Sequence, residues 1–124
     1  MPILSTPLIL ASGSAVRRQM LEAVGLSVQV IPPDGCDEEA LKQRFSHLAP
    51  AEKAIELAKG KAAYVSALHP ESLVLAADQI CAFGESILSK PATPERAAAQ
   101  LRQLRGNTHH QHSGAALYLR GECI

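Results

Sequence analysis

The stretch LILASGSAVRRQML, residues 8–21, decides the fold class. Its four leading apolar residues, 8–11, are what a short buried strand needs, and Ser12-Gly13-Ser14 ends that run. Val16, Met20, Leu21 and Val24 then recur at helical spacing, with Gly25 as the C-terminal stop. SVQVI, residues 27–31, resumes as a second strand closed by Pro32-Pro33. Strand, helix and strand within one βαβ-sized unit imply an α/β fold. The same stretch poses a problem of charge. Arg17 and Arg18 stand in the first turn of the expected helix, where unpaired N–H groups already carry about +0.5 of a charge. Something negative should lie nearby.

Outward from this unit, DGCDEEALKQRF (34–45) reads as a loop entering a short helix with an acidic start, and Pro50 opens a longer helix through about Leu68. SLVLAA (72–77) is a third buried-type strand that runs directly into Asp78. QICAF, the turn Gly84-Glu85-Ser86 and ILS then read as a hairpin ended by Lys90-Pro91. In TPERAAAQLRQLRG (93–106), Thr93 is the N-cap, Pro94 takes the first helical position and Gly106 is the stop. A polar strand through HHQHSGAALYL (109–119) follows. Repeats, linkers and low-complexity tracts are absent from the sequence.

With 124 residues the chain is expected to form a single domain, residues 1–124. Twelve basic side chains balance twelve acidic ones, which argues against a nucleic-acid polymer as partner and leaves small anions open. Cys36, Cys81 and Cys123 are odd in number, far apart and in no CxxC pair, so neither a disulfide framework nor a zinc site is expected. No apolar run approaches the roughly 18 residues that span a bilayer, and the N-terminus lacks the basic-then-apolar form of a signal peptide. A cytoplasmic protein with no membrane partner is the expectation.

The residues able to carry chemistry fall in six places. Ser12, Ser14, Arg17 and Arg18 around Gly13 could form an anion site, since backbone N–H groups and guanidinium forks both suit phosphate oxygens. The plainer alternative is Ser14 as an N-cap beside two solvated arginines. Asp78 follows the apolar residues 73–77 and is expected at the C-terminal end of an interior strand, where α/β sheets bind ligands. There a carboxylate can hold a divalent metal or accept a proton from water, unless it merely caps the next turn. Lys61 shares a helical stripe with Ala54, Leu57, Val65 and Leu68, and snorkelling is its usual explanation; Lys90 beside Pro91 would usually be a solvated loop residue. Asp37, Glu38 and Glu39 most simply favour a helix start. Of His109, His110 and His112, the last two share a strand face; without a third ligand at suitable spacing they read as part of an exposed strand.

Taken together in order, LILASGSAVRR, the acidic pair 37–38, LAKGKA (57–62), LVLAADQ (73–79), ILSKP (87–91) and RGNTHHQHSG (105–114) resemble the Maf family of nucleoside triphosphate pyrophosphatases. The resemblance implies a Maf/Ham1-like α/β fold, a mixed twisted sheet flanked by helices, over nearly the whole chain. It implies hydrolysis of a nucleoside triphosphate to the monophosphate and pyrophosphate. Asp78 would be the catalytic proton acceptor and, with Glu38, a ligand of Mg²⁺ or Mn²⁺. Ser12, Ser14, Arg17, Arg18, Lys61 and Lys90 would bind the phosphates, and a homodimer is open.

Within the family, the spacing S-x-S-x-x-R-R and the pair Asp78-Gln79 look like the subgroup acting on 7-methyl-GTP. The dTTP/UTP subgroup typically carries S-x-S-P-R-R and Asp-Thr. Ala15 replaces the usual proline here, and Val16 stands where the 7-methyl-GTP subgroup has tryptophan, so Val16 and Gln79 are the expected specificity positions. Family members continue past the SGAALYL strand into further strand and helix segments. The chain is therefore expected to be a C-terminally truncated member with an incomplete sheet; the alternatives are a dTTP/UTP pyrophosphatase of the same family and, from another class, a non-catalytic nucleotide-binding remnant.

Overall fold

The computed structural model describes residues 7–124; the part of the signal-peptide reading that falls on residues 1–6 lies outside the described residues. β1 (Leu8–Leu10) is buried at every position because it has parallel neighbours on both edges, β2 (Gln29–Val30) and β3 (Leu73–Phe83). Ser14 caps α1 (Ala15–Ala23), its hydroxyl accepting the Arg17 N–H at 3.3 Å. β2 is shorter than SVQVI. The Ile31 N–H still reaches the Leu10 carbonyl, but Pro32 and Pro33 have no N–H with which to extend the ladder.

Asp37 caps α2 (Glu38–Arg44), accepting from the Ala40 N–H at 3.0 Å, and Pro50 occupies the first turn of α3 (Pro50–Leu68), as expected. α4 (Pro94–Leu104) starts at the Thr93 cap and ends before Gly106, whose φ of +73° suits a residue without a Cβ. β4 (Ser86–Leu88), β5 (His110–Leu119) and β6 (Glu122–Cys123) complete a mixed sheet of order β2-β1-β3-β5-β6, with β4 also on β3. β1, β2 and β3 are mutually parallel where they pair, and the remaining pairs are antiparallel.

One expectation needs correction. Asp78 is not at the end of a strand before a separate hairpin, because β3 runs unbroken through it for 11 residues. β5 supplies the reason: it pairs with β3 from Leu73↔Leu119 to Ala82↔His110, so the ladder continues past Ala77. Five strand residues separate Asp78 from the Gly84 turn, which removes the turn-capping alternative.

The core lies on one face of this sheet. α3 presents Ala54, Leu57, Ala58, Ala62 and Val65 to Val74, Ala76 and Ile80 of β3 and Ala116 of β5. Small side chains bring the helix close. At Gly114 a Cβ would meet the Ala54 carbonyl carbon and the Ile55 nitrogen at 2.5 Å, so glycine is what lets the α3 backbone rest on β5. On the opposite face α1 and α4 bury no residue. The helical spacing of Val16, Met20 and Val24 is real, but the stripe is not a core stripe: these residues are 63%, 64% and 67% exposed.

Candidate functional site

β3 has two edges, and β5 uses one of them along nearly its whole length. On the other edge β1 pairs with Leu73–Leu75 and β4 with Cys81–Phe83. Residues 76–80 between them have no strand partner on that edge among the described residues. A carbonyl in such a gap must find another donor. The Ala77 carbonyl finds two, Arg17 Nη1 at 3.1 Å and Lys61 Nζ at 3.1 Å. The first comes from α1, which starts just after β1 ends; the second reaches up from α3 through the packed face.

Alternation along β3 places Asp78 on the face covered by α3, with Val74, Ala76 and Ile80. Its partner across the ladder is Gly114, the residue that admits α3. Asp78 Oδ1 accepts the Gln79 N–H at 2.9 Å and lies 3.8 Å from Lys61 Nζ. Glu38, the first residue of α2, places its Oε1 3.7 Å from the same ammonium. Two close contacts set α2 and its preceding loop against α3: Leu41 fills the space over Gly60, and Tyr64 packs its hydroxyl where a Cβ on Gly35 would stand. Cys36 lies between them. Burial pushes its thiol above the ordinary value of 9.0, Glu38 raises it further, and Lys61 partly opposes this.

The sequence-derived site residues thus divide. Arg17, Lys61, Asp78 and Glu38 come together around one ammonium and one carbonyl. The Lys61 side chain is only 11% exposed, so its stem does not snorkel to water; its charge stays within the fold. Ser12 is buried and Ser14 half-buried, and both hydroxyl oxygens accept backbone N–H groups of the loop, from Ser14 at 3.0 Å and Arg17 at 3.3 Å. Arg18 points elsewhere and pairs with Glu22 one turn along α1, Nε to Oε1 at 2.8 Å. The charge conflict read at this helix start is met inside the chain, by a carbonyl for Arg17 and a carboxylate for Arg18.

Gln79 faces the opposite side, into a cleft of about 1760 Å³ whose walls come from α1, α4 and both sides of the sheet gap, with Leu57, Asp78 and Ile80 among them. Val16, Arg17, Met20 and Leu101 line it, and exposed Lys90 lies at its wall after β4. Gln79 Nε2 donates to Gln111 Oε1 at 2.9 Å across the strands. Sequence reasoning missed Gln111, which only the β3–β5 register brings beside Gln79, and it missed the Ala77 carbonyl, which no side chain advertises. Gly114 did carry a signal, a glycine inside a strand.

For a divalent cation the chain offers Glu38 and Asp78, two hard oxygen donors of the kind Mg²⁺ and Mn²⁺ prefer, converging on one point now shared with the Lys61 ammonium. The donor set fits such an ion. No group of three or more His, Cys, Asp or Glu side chains suited to a metal occurs among the described residues, so water or substrate oxygens would complete the coordination.

Fold and site together define a mixed α/β protein that gathers two cations and two carboxylates at a gap in its sheet edge. The chain belongs to the Maf-like protein family, whose sequence profile matches residues 7–123. It is 42% identical over 120 residues to a nucleoside triphosphate pyrophosphatase of Rhodopseudomonas palustris (strain BisB18), covering 97% of this chain and 59% of that one. A protein of the same name from Legionella pneumophila (strain Corby) is 40% identical over 105 residues, 85% of this chain and 52% of that one. A third, from Ruegeria pomeroyi, is 40% identical over 123 residues, covering 98% and 61%. The chain spans between 52% and 61% of the length of these relatives. The fold is also that of a HAM1 protein from Coxiella burnetii, with a TM-score of 0.58 at 19% identity over 96% of this chain and 68% of that one.

Proposed function

We propose that this chain carries the site of a nucleoside triphosphate pyrophosphatase with 7-methyl-GTP as its preferred substrate. The observation that supports this most is the convergence of Arg17 and Lys61 on the Ala77 carbonyl beside Asp78. Two cations fixed at one carbonyl, next to a carboxylate with no arginine of its own, suit a polyanion and an attacking water. Asp78 takes a proton from the water as its oxygen attacks phosphorus at the α–β anhydride. The anhydride bond breaks and its electron pair leaves with pyrophosphate, giving the nucleoside monophosphate. Arg17 and Lys61 offset charge on the phosphates, and the Ser12–Ser14 turn lies at the start of α1, where phosphate oxygens are favoured. Lys90 and Arg18 bring further positive charge from outside the gap. Glu38 and Asp78 would hold Mg²⁺ or Mn²⁺, which when bound supplies Lewis-acid stabilisation of the phosphate charge.

The base would lie in the part of the cleft on the other face, against Val16 and the Gln79–Gln111 pair. Linked amides leave both a donor and an acceptor free for a base edge. The balanced charge and the free cysteines fit a single domain acting on free nucleotides in the cytoplasm. Among the described residues no helix is long and apolar enough to cross a membrane.

The test is pyrophosphate release with Mg²⁺, with kcat/KM compared for 7-methyl-GTP, dTTP and UTP in wild type and Val16→Trp. Wild type should favour 7-methyl-GTP. An indole face for the cationic ring should widen that preference by roughly 2- to 30-fold, the equivalent of about 0.5–2 kcal/mol. A higher kcat/KM for dTTP or UTP would move the chain to the other subgroup, and binding without release of pyrophosphate would leave a nucleotide-binding module.

A further inference from the structure

We propose that Lys61 is a positioning residue that stands in for the divalent cation: its ammonium holds the Glu38 and Asp78 carboxylates before nucleotide arrives, and transfers to the triphosphate when metal and nucleotide enter together. The proposal rests on the pyrophosphatase reading given above.

Three features carry it. The ammonium faces three acceptors, the Ala77 carbonyl at 3.1 Å, Glu38 Oε1 at 3.7 Å and Asp78 Oδ1 at 3.8 Å. The carbonyl contact is a hydrogen bond, whereas the two carboxylate distances are beyond hydrogen-bonding range. Lys61 therefore holds the carboxylates by charge alone, at the point on which both converge, and a second cation there would meet it as a like charge.

Lys61 can also leave at little cost. Its backbone is fixed, since Ala58 and Ala62 on either side are fully buried against the sheet, but its four-carbon stem can swing. Withdrawing a buried donor usually orphans its acceptor. Here the Ala77 carbonyl keeps Arg17 Nη1 at 3.1 Å. The doubled donor, puzzling as a structural bond, makes sense if one of the two must move.

Burial explains why Asp78 in particular needs such a partner, whereas the Glu38 side chain is half exposed. Lys61 is 11% exposed and Asp78 26%, and Asp78 has no other cation within ion-pair distance among the described residues. A charge withdrawn from water and left uncompensated is costly. The ammonium compensates Asp78 until another cation replaces it.

The experiment is titration of the intact protein with Mn²⁺ alone, read by electron paramagnetic resonance as free against bound ion, in wild type, Lys61→Met and Lys61→Arg. Methionine keeps an unbranched stem and removes the charge, whereas arginine keeps the charge. Lys61→Met should bind Mn²⁺ on the order of tenfold more tightly than wild type, the scale on which one neighbouring charge shifts ion binding. Lys61→Arg should remain weak, and Lys61→Met should turn over nucleotide more slowly despite its tighter metal. Circular dichroism confirms that each variant is folded. Equal or weaker Mn²⁺ binding by folded Lys61→Met would overturn the proposal. If wild type nevertheless releases pyrophosphate, only the role of Lys61 is lost; if no protein binds Mn²⁺ and wild type releases none, the pyrophosphatase reading falls with it.

Discussion

On one face of the sheet α3 lies so close to β5 that a methyl group at Gly114 would meet the Ala54 backbone at 2.5 Å; on the other, α1 and α4 bury no residue. The groups proposed for chemistry, Lys61 and Asp78, belong to the tight face. Those proposed for selecting a base, Val16, Gln79 and Gln111, belong to the loose one. The difference teaches what each task needs. A proton acceptor, and the backbone that carries its cation, must be held in place, and dense packing of alanine and glycine does that. A base-selecting wall needs area and adaptable polar edges, which exposed residues along a cleft provide.

The contrast breaks most sharply through Gly114. Gly114→Ala puts a methyl group against backbone rather than a yielding side chain, so it should cost about 1–3 kcal/mol or more by overpacking and should lift α3, and Lys61 with it, from β3. Leu101→Ser on α4, at a residue 68% exposed, should stay within about 0.5 kcal/mol of wild type. Urea denaturation of the two variants decides the matter. Equal losses would mean that the open face is as firmly packed as the other.

A finer probe is Cys36, in the loop that brings Glu38 to Lys61. Its folded-state thiol ionises above the ordinary 9.0, first because of burial and then because of Glu38. Below pH 9 the thiol is protonated whether the chain is folded or not. Above it the unfolded chain releases its proton first, so folding loses stability as pH rises from about 9. Urea midpoints at pH 8 and 10 should fall in wild type and fall less in Cys36→Ser. Tyr118 adds to the loss in both proteins, because burial raises its phenol above 10.0. An identical pH dependence in the two would place the thiol in an ordinary solvated setting.

How much of this was legible in the sequence follows the range of the interactions. α3 and α4 could be read from Pro50 and from Thr93-Pro94, because a cap and a proline act within one turn. The continuity of β3 through Asp78 could not, since it depends on β5 more than thirty residues away. The two arginines at 17 and 18 look equivalent in the chain, yet a helix turns about 100° per residue, so one reaches the sheet gap and the other its own helix's Glu22. Lys61 carried the opposite lesson. Its apolar stripe was visible, but the carbonyl that draws its ammonium inward exists only after β1 and β4 leave residues 76–80 unpaired.

The central claim is that this gap is where hydrolysis occurs, with Asp78 receiving the proton. The most direct measurement is the rate of pyrophosphate release from 7-methyl-GTP with Mn²⁺ by wild type and Asp78→Asn, each confirmed as folded by its urea midpoint. An amide keeps the shape of the side chain and cannot accept the proton, so kcat should fall by about 10²- to 10⁴-fold. Wild-type turnover by folded Asp78→Asn would contradict the claim and place the chemistry elsewhere.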